Sequence, residues 1–176
     1  MTTIKQKDSK VLREIALEVP LDEIQSKKIQ DILSVMKATL KGEEDGVAIA
    51  APQIGKSLRI FIVSGRATLL IQNIEITPGI ELPPDVVFIN PVITKLSKTK
   101  ATMEEGCLSV RWLYGKVERS TKATIEAYDE KGKKFQKGAS GLMAQIFQHE
   151  TDHLNGVLFI DKATDVEDLP PTLQPS

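Results

Sequence analysis

The chain is short of the residues that usually mark a site. Its 176 residues include one cysteine, one tryptophan and two histidines. A single cysteine excludes an intrachain disulfide and fits a reducing compartment. It leaves Cys107 open as core packing, nucleophile or metal ligand. No stretch approaches the roughly 18 consecutive apolar residues of a membrane span, and the N-terminus lacks the apolar core of a signal peptide. Neither charge is in excess, with Lys+Arg at 23 against Asp+Glu at 24, so direct nucleic-acid recognition, which wants a basic surplus, is not expected. The local group Lys131, Lys133 and Lys134 reads as a solvated turn beside a strand. These absences predict a soluble, cytoplasmic, monomeric protein that does not contact membranes. An apolar content of 41% supports a substantial core, and the length fits one domain. The expected division is a folded domain over 1–162 and a loose, Pro- and acid-rich tail over 163–176.

Two helices stand out. Ile29, Ile32, Leu33, Met36 and Leu40 recur at helical spacing, with a start expected near Leu21–Glu23 and a stop at Gly42. The second runs from about Ser140, a suitable N-cap, to His153, with Asn155-Gly156 as its break. Between them "EEDGVAIAAPQIG" reads as a tight buried loop and "LRIFIVS" as a strand. The run "ATLLIQNIEI" fits a strand or hairpin arm, and "TPGIELPPD" a turn. "VVFINPVI" is a further strand whose Pro91 implies an edge or a bulge. The alternation in "KATIEAYD" and the turn "DEKGK" give a hairpin. The class is α+β, with mixed, mainly antiparallel strands around a central helix.

Both histidines lie on that second helix, within "QHETDH". Residues four apart stack on one helical face, so His149 and His153 can offer two nitrogens to one ion. Glu150 between them has the place of a proton-moving acid in the H-E-x-x-H arrangement. The pattern is short and arises by chance, and a polar helix face with exposed histidines is the plain alternative. The apolar run "GLMAQIF" before it favours the metal reading, because an exposed helix would not need it. A catalytic metal ordinarily has three protein ligands. The third donor is either Cys107 upstream, after a Gly106 that lets backbone approach closely, or one of Asp161, Asp165, Glu167 and Asp168 downstream. Residue chemistry alone does not choose between them.

Taken together, "GVAIAAPQ", "EGCLS" and "QHETDH" occur in the order and at roughly the separations of the peptide deformylases, and the chain resembles that family from its first helix to about Asp161. The resemblance implies an α+β metallohydrolase that removes the formyl group from the N-terminal formylmethionine of nascent polypeptides near the ribosome. It implies Cys107, His149 and His153 as ligands of one divalent metal, ferrous iron in the cell, with zinc, nickel or cobalt able to fill the same donors. It makes Glu150 the acid/base, and Gln53 with the Leu108 N–H the donors to the developing oxyanion. Gly46, Val47, Ala48, Gly106, Ile146 and His149 are the implied substrate-binding residues, with Leu142 or Met143 as further candidates for the pocket wall. Arg119 and Glu105 are implied partners in a supporting acid network, and Asp152 is a candidate for orienting it.

The chain departs from the family pattern in three places. Ala48 stands where a second glycine is usual, which costs about 1–2 kcal/mol if a left-handed backbone is required and otherwise alters clearance. Arg111-Trp112 replaces a common proline segment, predicting a changed cleft rim or a partner contact. Extra residues around "RATLLIQNIEITPGIELPP" make the chain resemble the longer, second type of the family. These departures leave two alternatives. One is a weakly active or substrate-shifted N-acyl hydrolase. The other is a non-catalytic, metal-stabilised binding protein, against which the intact Glu150 and Gln53 weigh.

Overall fold

The computed structural model describes residues 3–170. Ser26, not a residue near Leu21, begins the first long helix. Its hydroxyl accepts the Ile29 N–H, and α1 runs Lys27–Lys41 before Gly42 caps it. Leu21–Glu23 is a separate 3-10 turn after Pro20, which corrects the expected start. The predicted face is the buried one: Ile29, Leu33, Met36 and Leu40 pack with Ile49, Ile60 and Ile62 of the sheet.

The segment read as a buried loop contains a short strand, β1 Ala48–Ala50, followed by a 3-10 turn at Ala51–Ile54. The strand β2, Ile60–Val63, pairs antiparallel with β1 in the register Ala48↔Val63 to Ala50↔Phe61. The run expected to be a strand or hairpin arm is instead helix α2, Gly65–Ile71. Two caps override its apolar character. Ser64 Oγ accepts the Arg66 N–H, and Asp85 Oδ1 accepts the Gly65 N–H. Glycine is required at 65, since a Cβ there would lie 1.7 Å from the Pro83 carbonyl oxygen.

The remaining strands are β3 Val86–Leu96, β4 Lys100–Gly106, β5 Leu113–Ser120, β6 Lys122–Tyr128, β7 Lys134–Ser140 and β8 Thr164–Asp168. They form a five-stranded sheet in the order β1-β2-β3-β6-β7 and a three-stranded sheet in the order β4-β5-β8, with every named pair antiparallel. Pro91 lies in the interior strand β3, at a register shift between Ile89 and Val92 where Asn90 adopts φ +50°. Of the two expectations for it, the bulge holds. The Asn90 amide bonds the N–H and carbonyl of Val19, both at 2.8 Å, and so fastens the irregular N-terminal segment to the sheet.

Part of the expected loose tail is ordered. Residues 164–168 are strand β8, paired with β5 and joined by a Lys116–Asp165 ion pair. Acidic composition suggested looseness, but an exposed edge strand tolerates acids when cations sit across from it. Residues 171–176 of the expected tail lie outside the described residues.

The helix α3, Gly141–Leu154, crosses the five-stranded sheet and buries Ala144, Ile146, Phe147, His153 and Leu154. Phe147 meets Phe88 edge-on at 5.3 Å, and Phe88 stacks on Phe61 at 4.5 Å. This aromatic cluster fixes the depth of the helix against the sheet. Replacing Phe147 with Ala should therefore cost about 3–5 kcal/mol, read from the urea unfolding midpoint of the metal-loaded protein. A loss below about 1 kcal/mol would show that the helix is held by other contacts.

Candidate metal centre and active-site cleft

Three donors from two elements converge. Cys107 lies in the loop after β4, and His149 and His153 lie one turn apart on α3. One ligand atom from each falls within 4.8 Å of the others. Cys107 Sγ is 3.2 Å from His153 Nε2. This geometry selects the sulfur over the late acids as third donor: Asp161 is engaged by Arg13, and Asp165 by Lys116 on the edge strand.

The chemistry of the donor set suits a divalent cation. Burial pushes the Cys107 thiol up, but the charge of His153 and hydrogen bonds from both histidines outweigh it and hold the thiol at about 5. This environment favours the thiolate, the form that binds metal. His149 turns Nδ1 to Glu105 Oε2 at 2.9 Å, leaving its Nε2 for an ion. His153 is buried and presents Nε2 toward the sulfur. The residues present fit one metal held by sulfur and two imidazoles.

A buried acid–base network holds His149. Arg119, at 4% side-chain exposure, grips Glu105, at 2%, through Nε–H···Oε1 at 2.8 Å and Nη2–H···Oε2 at 3.0 Å. Its other arm donates to Asp152 at 2.6 Å, and Lys162 reaches the same carboxylate from outside. Burial alone would raise the Glu105 pKa, but His149 and Arg119 outweigh it and hold the carboxyl at about 2. The network thus runs from β5 through β4 to both ends of the His149–His153 turn. The expected Arg119–Glu105 pair is present, and Asp152 takes the orienting position considered for it.

Cys107 and His149 line a cleft of about 300 Å³. Gly46, Val47 and Ala48 line one side, Gly106 and Leu108 the other, and Ile146, His149 and Glu150 the helix side. Leu142 also lines it, whereas Met143 turns into the core beneath the sheet. Ala48 has ordinary strand backbone, paired with Val63, and is not among the positive-φ residues. The strain alternative for Ala48 is therefore excluded, and the effect of its side chain is on clearance.

Glu150 is buried, and its Oε2 has no protein partner among the described residues. Burial raises its pKa, with the two histidines pulling the other way. Gln53 is anchored at both ends. Its Oε1 accepts the Ala50 N–H at 2.8 Å, and its Nε2 donates to Ser109 Oγ at 3.1 Å, with Cys107 Sγ 3.6 Å away. The Leu108 N–H forms no hydrogen bond among the described residues.

Two contributors were missed in the sequence. Ser109 orients Gln53, and its only signal was its place in "EGCLS". Gln148 clamps the metal helix to the β5–β6 junction, accepting the Ser120 N–H at 3.0 Å and donating to the Ser120 carbonyl at 2.9 Å. Its signal was a polar residue on the apolar side of the helix. Arg119→Ala should strand Glu105 as a buried unpaired carboxylate, costing about 3–5 kcal/mol and loosening metal retention. Unchanged unfolding midpoint and metal content after dialysis would refute the supporting role.

Comparison with known proteins agrees with this geometry. The family model for polypeptide deformylase matches residues 1–168. A peptide deformylase of Fusobacterium nucleatum is 39% identical over 159 residues, covering 90% of this chain and 82% of that one. A chloroplastic/mitochondrial peptide deformylase 1A of Arabidopsis thaliana is also 39% identical over 159 residues, covering 86% of this chain and 57% of its own. The actinonin-bound class I type b peptide deformylase of Acinetobacter baumannii superposes with a TM-score of 0.77 at 33% identity, covering 92% of this chain and 97% of that one. The family model and these relatives cover almost the whole chain, and the three metal donors meet at its cleft: the chain belongs to the polypeptide deformylase family and is a metal-dependent hydrolase.

Proposed function

We propose that this chain removes the formyl group from N-terminal formylmethionine by the concerted use of Glu150, Gln53 and the Leu108 N–H. The observation that carries this reading is the buried, unpartnered carboxylate oxygen of Glu150 beside three convergent metal donors. A structural glutamate would be paired, because an unsatisfied buried polar atom costs roughly 1–3 kcal/mol. Cys107, His149 and His153 would hold a divalent ion, which would supply Lewis acidity and make a water acidic enough to lose a proton near neutral pH.

The protein's own groups do the rest. Glu150, with its pKa raised by burial, takes a proton from the attacking water and returns it to the departing amine. Gln53 Nε2 and the Leu108 N–H meet the negative charge that builds on the formyl oxygen. Their placement is fixed in advance, Gln53 by Ala50 and Ser109, Leu108 by the turn in which the Val110 N–H bonds the Cys107 carbonyl. The products are formate and a free N-terminus.

The cleft geometry supports an extended peptide as substrate. β1 and β4 are the terminal strands of their two sheets, and Gly46–Ala48 and Gly106 border the cleft. A peptide laid between them adds a strand to an exposed edge. Ile146 and Leu142 are placed to receive an unbranched apolar side chain from the helix side. Ferrous iron is our assignment for the native ion, with zinc, nickel or cobalt as substitutes, because a thiolate with two imidazoles suits these metals. A thiolate beside ferrous iron makes Cys107 the site of oxidative inactivation. We place the protein in the cytoplasm as a monomer acting on nascent chains near the ribosome. No helix among the described residues is long and apolar enough to cross a membrane.

The test is formate release from formyl-Met-Ala-Ser by protein purified without oxygen and loaded with ferrous iron or nickel. Glu150→Gln should keep its metal and lose most turnover. Gln53→Ala should keep its metal and lose roughly 2.7–4 kcal/mol of transition-state stabilisation in kcat. Cys107→Ser should lose metal and activity together. Wild-type protein with full metal and no formate release would overturn the assignment, as would full activity in Glu150→Gln.

A further inference from the structure

Arg111, one of the residues that departs from the family pattern, stands at the mouth of the cleft. It lies in the loop between Cys107 and β5 and reaches across to the loop between α1 and β1. There its Nη1 donates to Asp45 Oδ2 and its Nη2 to Glu43 Oε2, both at 2.6 Å. Its guanidinium also lies 4.8 Å from the ring centroid of Trp112, the only tryptophan. The side chain is only 22% exposed, and that of Glu43 31%. The Glu43 carbonyl is braced in turn by Arg66 Nη1 from α2 at 3.1 Å. The bridged loops are the two walls of the cleft, since Asp45 and Gly46 line one side and Gly106, Arg111 and Trp112 the other.

A substrate strand set between two sheet edges imposes a strict spacing. Each pairing requires neighbouring strands roughly 4.7–4.9 Å apart, so the edges must stand about twice that distance from each other. Free loops would have to be ordered by the substrate at the expense of its affinity. Two short ion pairs span the walls, and the cation–π contact with Trp112, on Arg111's own wall, steadies the guanidinium; together they remove that freedom beforehand. An isolated exposed pair contributes little, but a partly buried arginine with two carboxylates and an aromatic face is a network.

The geometry points to Arg111 as a positioning residue: its bridge to Glu43 and Asp45 holds the two cleft walls at the separation a formyl peptide needs, and so sets peptide affinity without touching the reacting atoms. The inference rests on the deformylase reading for its substrate, but the bridge itself can be observed without turnover.

The experiment compares metal-loaded wild type with Arg111→Ala and with Glu43→Gln/Asp45→Asn, using formyl-Met-Ala-Ser. Both variants should raise KM by roughly three- to tenfold and leave kcat, metal content and Tm near wild type. Raising the salt concentration should increase KM in wild type and not in Arg111→Ala, because screening weakens the same ion pairs. Without any substrate, Arg111→Ala should shift Trp112 emission and speed amide hydrogen exchange over residues 43–48. Unchanged KM, emission and exchange in a folded, metal-loaded Arg111→Ala would overturn the proposal. So would a fall in kcat equal to the rise in KM, which would place the effect on the chemistry. Failure of wild type to release formate would sink the deformylase reading, and exchange and emission would still decide whether the bridge holds the walls.

Discussion

The site depends on one buried ion pair, between Arg119 and Glu105. Both residues are almost inaccessible to solvent, although Glu105 borders the cleft. Glu105 is the residue that can bond the Nδ1 of His149 and so turn the ring's other nitrogen to the metal position. A carboxylate buried that deeply would be protonated or expelled without a permanent cation. Arginine supplies two parallel donors to the carboxylate and a third to Asp152, which a lysine could not do at once. Asp152 in turn lies between the two metal histidines in sequence. The orientation of the ligands is thus set by charges that must all be present for any of them to be tolerated.

The two sheets give this network its purpose. β4, which leads into Cys107, and β5, which carries Arg119, belong to the smaller sheet. The metal helix lies on the larger one. The centre therefore forms only where the sheets meet, and Gln148 and the Glu105–Arg119–Asp152 contacts hold the helix to the smaller sheet's strands at that seam. The same seam leaves the outer edges of β1 and β4 facing the cleft. Ordinarily an unpaired strand edge is an aggregation hazard. Here β1 is only three residues long, and the openness of both edges is what an extended substrate requires.

Much of this was legible in the residues, and the reasons for the rest are physical. Helical spacing revealed the buried face of α1 because that face packs on a sheet without interruption. The strands β2, β3, β6 and β7 were marked by alternation or by apolar runs between turns. Segment 67–76 misled because apolar content does not separate a short helix from a strand. The decision lay in caps from Ser64 and from Asp85, twenty residues apart for the latter's contact with Gly65. β8 misled for the opposite reason, since acids at an exposed edge look like a disordered tail until Lys116 is seen across from it. At the site, the histidine pair was visible from local spacing, whereas Cys107 became the third donor only through the family motif. Ser109 and Gln148 escaped notice because each acts through a long-range hydrogen bond that no local pattern encodes.

Glu150 shows why such a site cannot be optimised for stability. A carboxylate with one oxygen buried and unpaired is a net cost to the fold. Giving it a protein partner would recover that cost and remove the proton acceptor. Exposing it to bulk water would lower its pKa and weaken it as a base. The remaining solution is to keep the group dry, flanked by two histidines that restrain the upward shift of its pKa without capturing the free oxygen. The aromatic cluster of Phe61, Phe88 and Phe147 offsets the expense one turn earlier on the same helix. One element thus carries both a buried aromatic contact and an unsatisfied polar group. Its rigidity, supplied by the first, is what allows the second to remain in place.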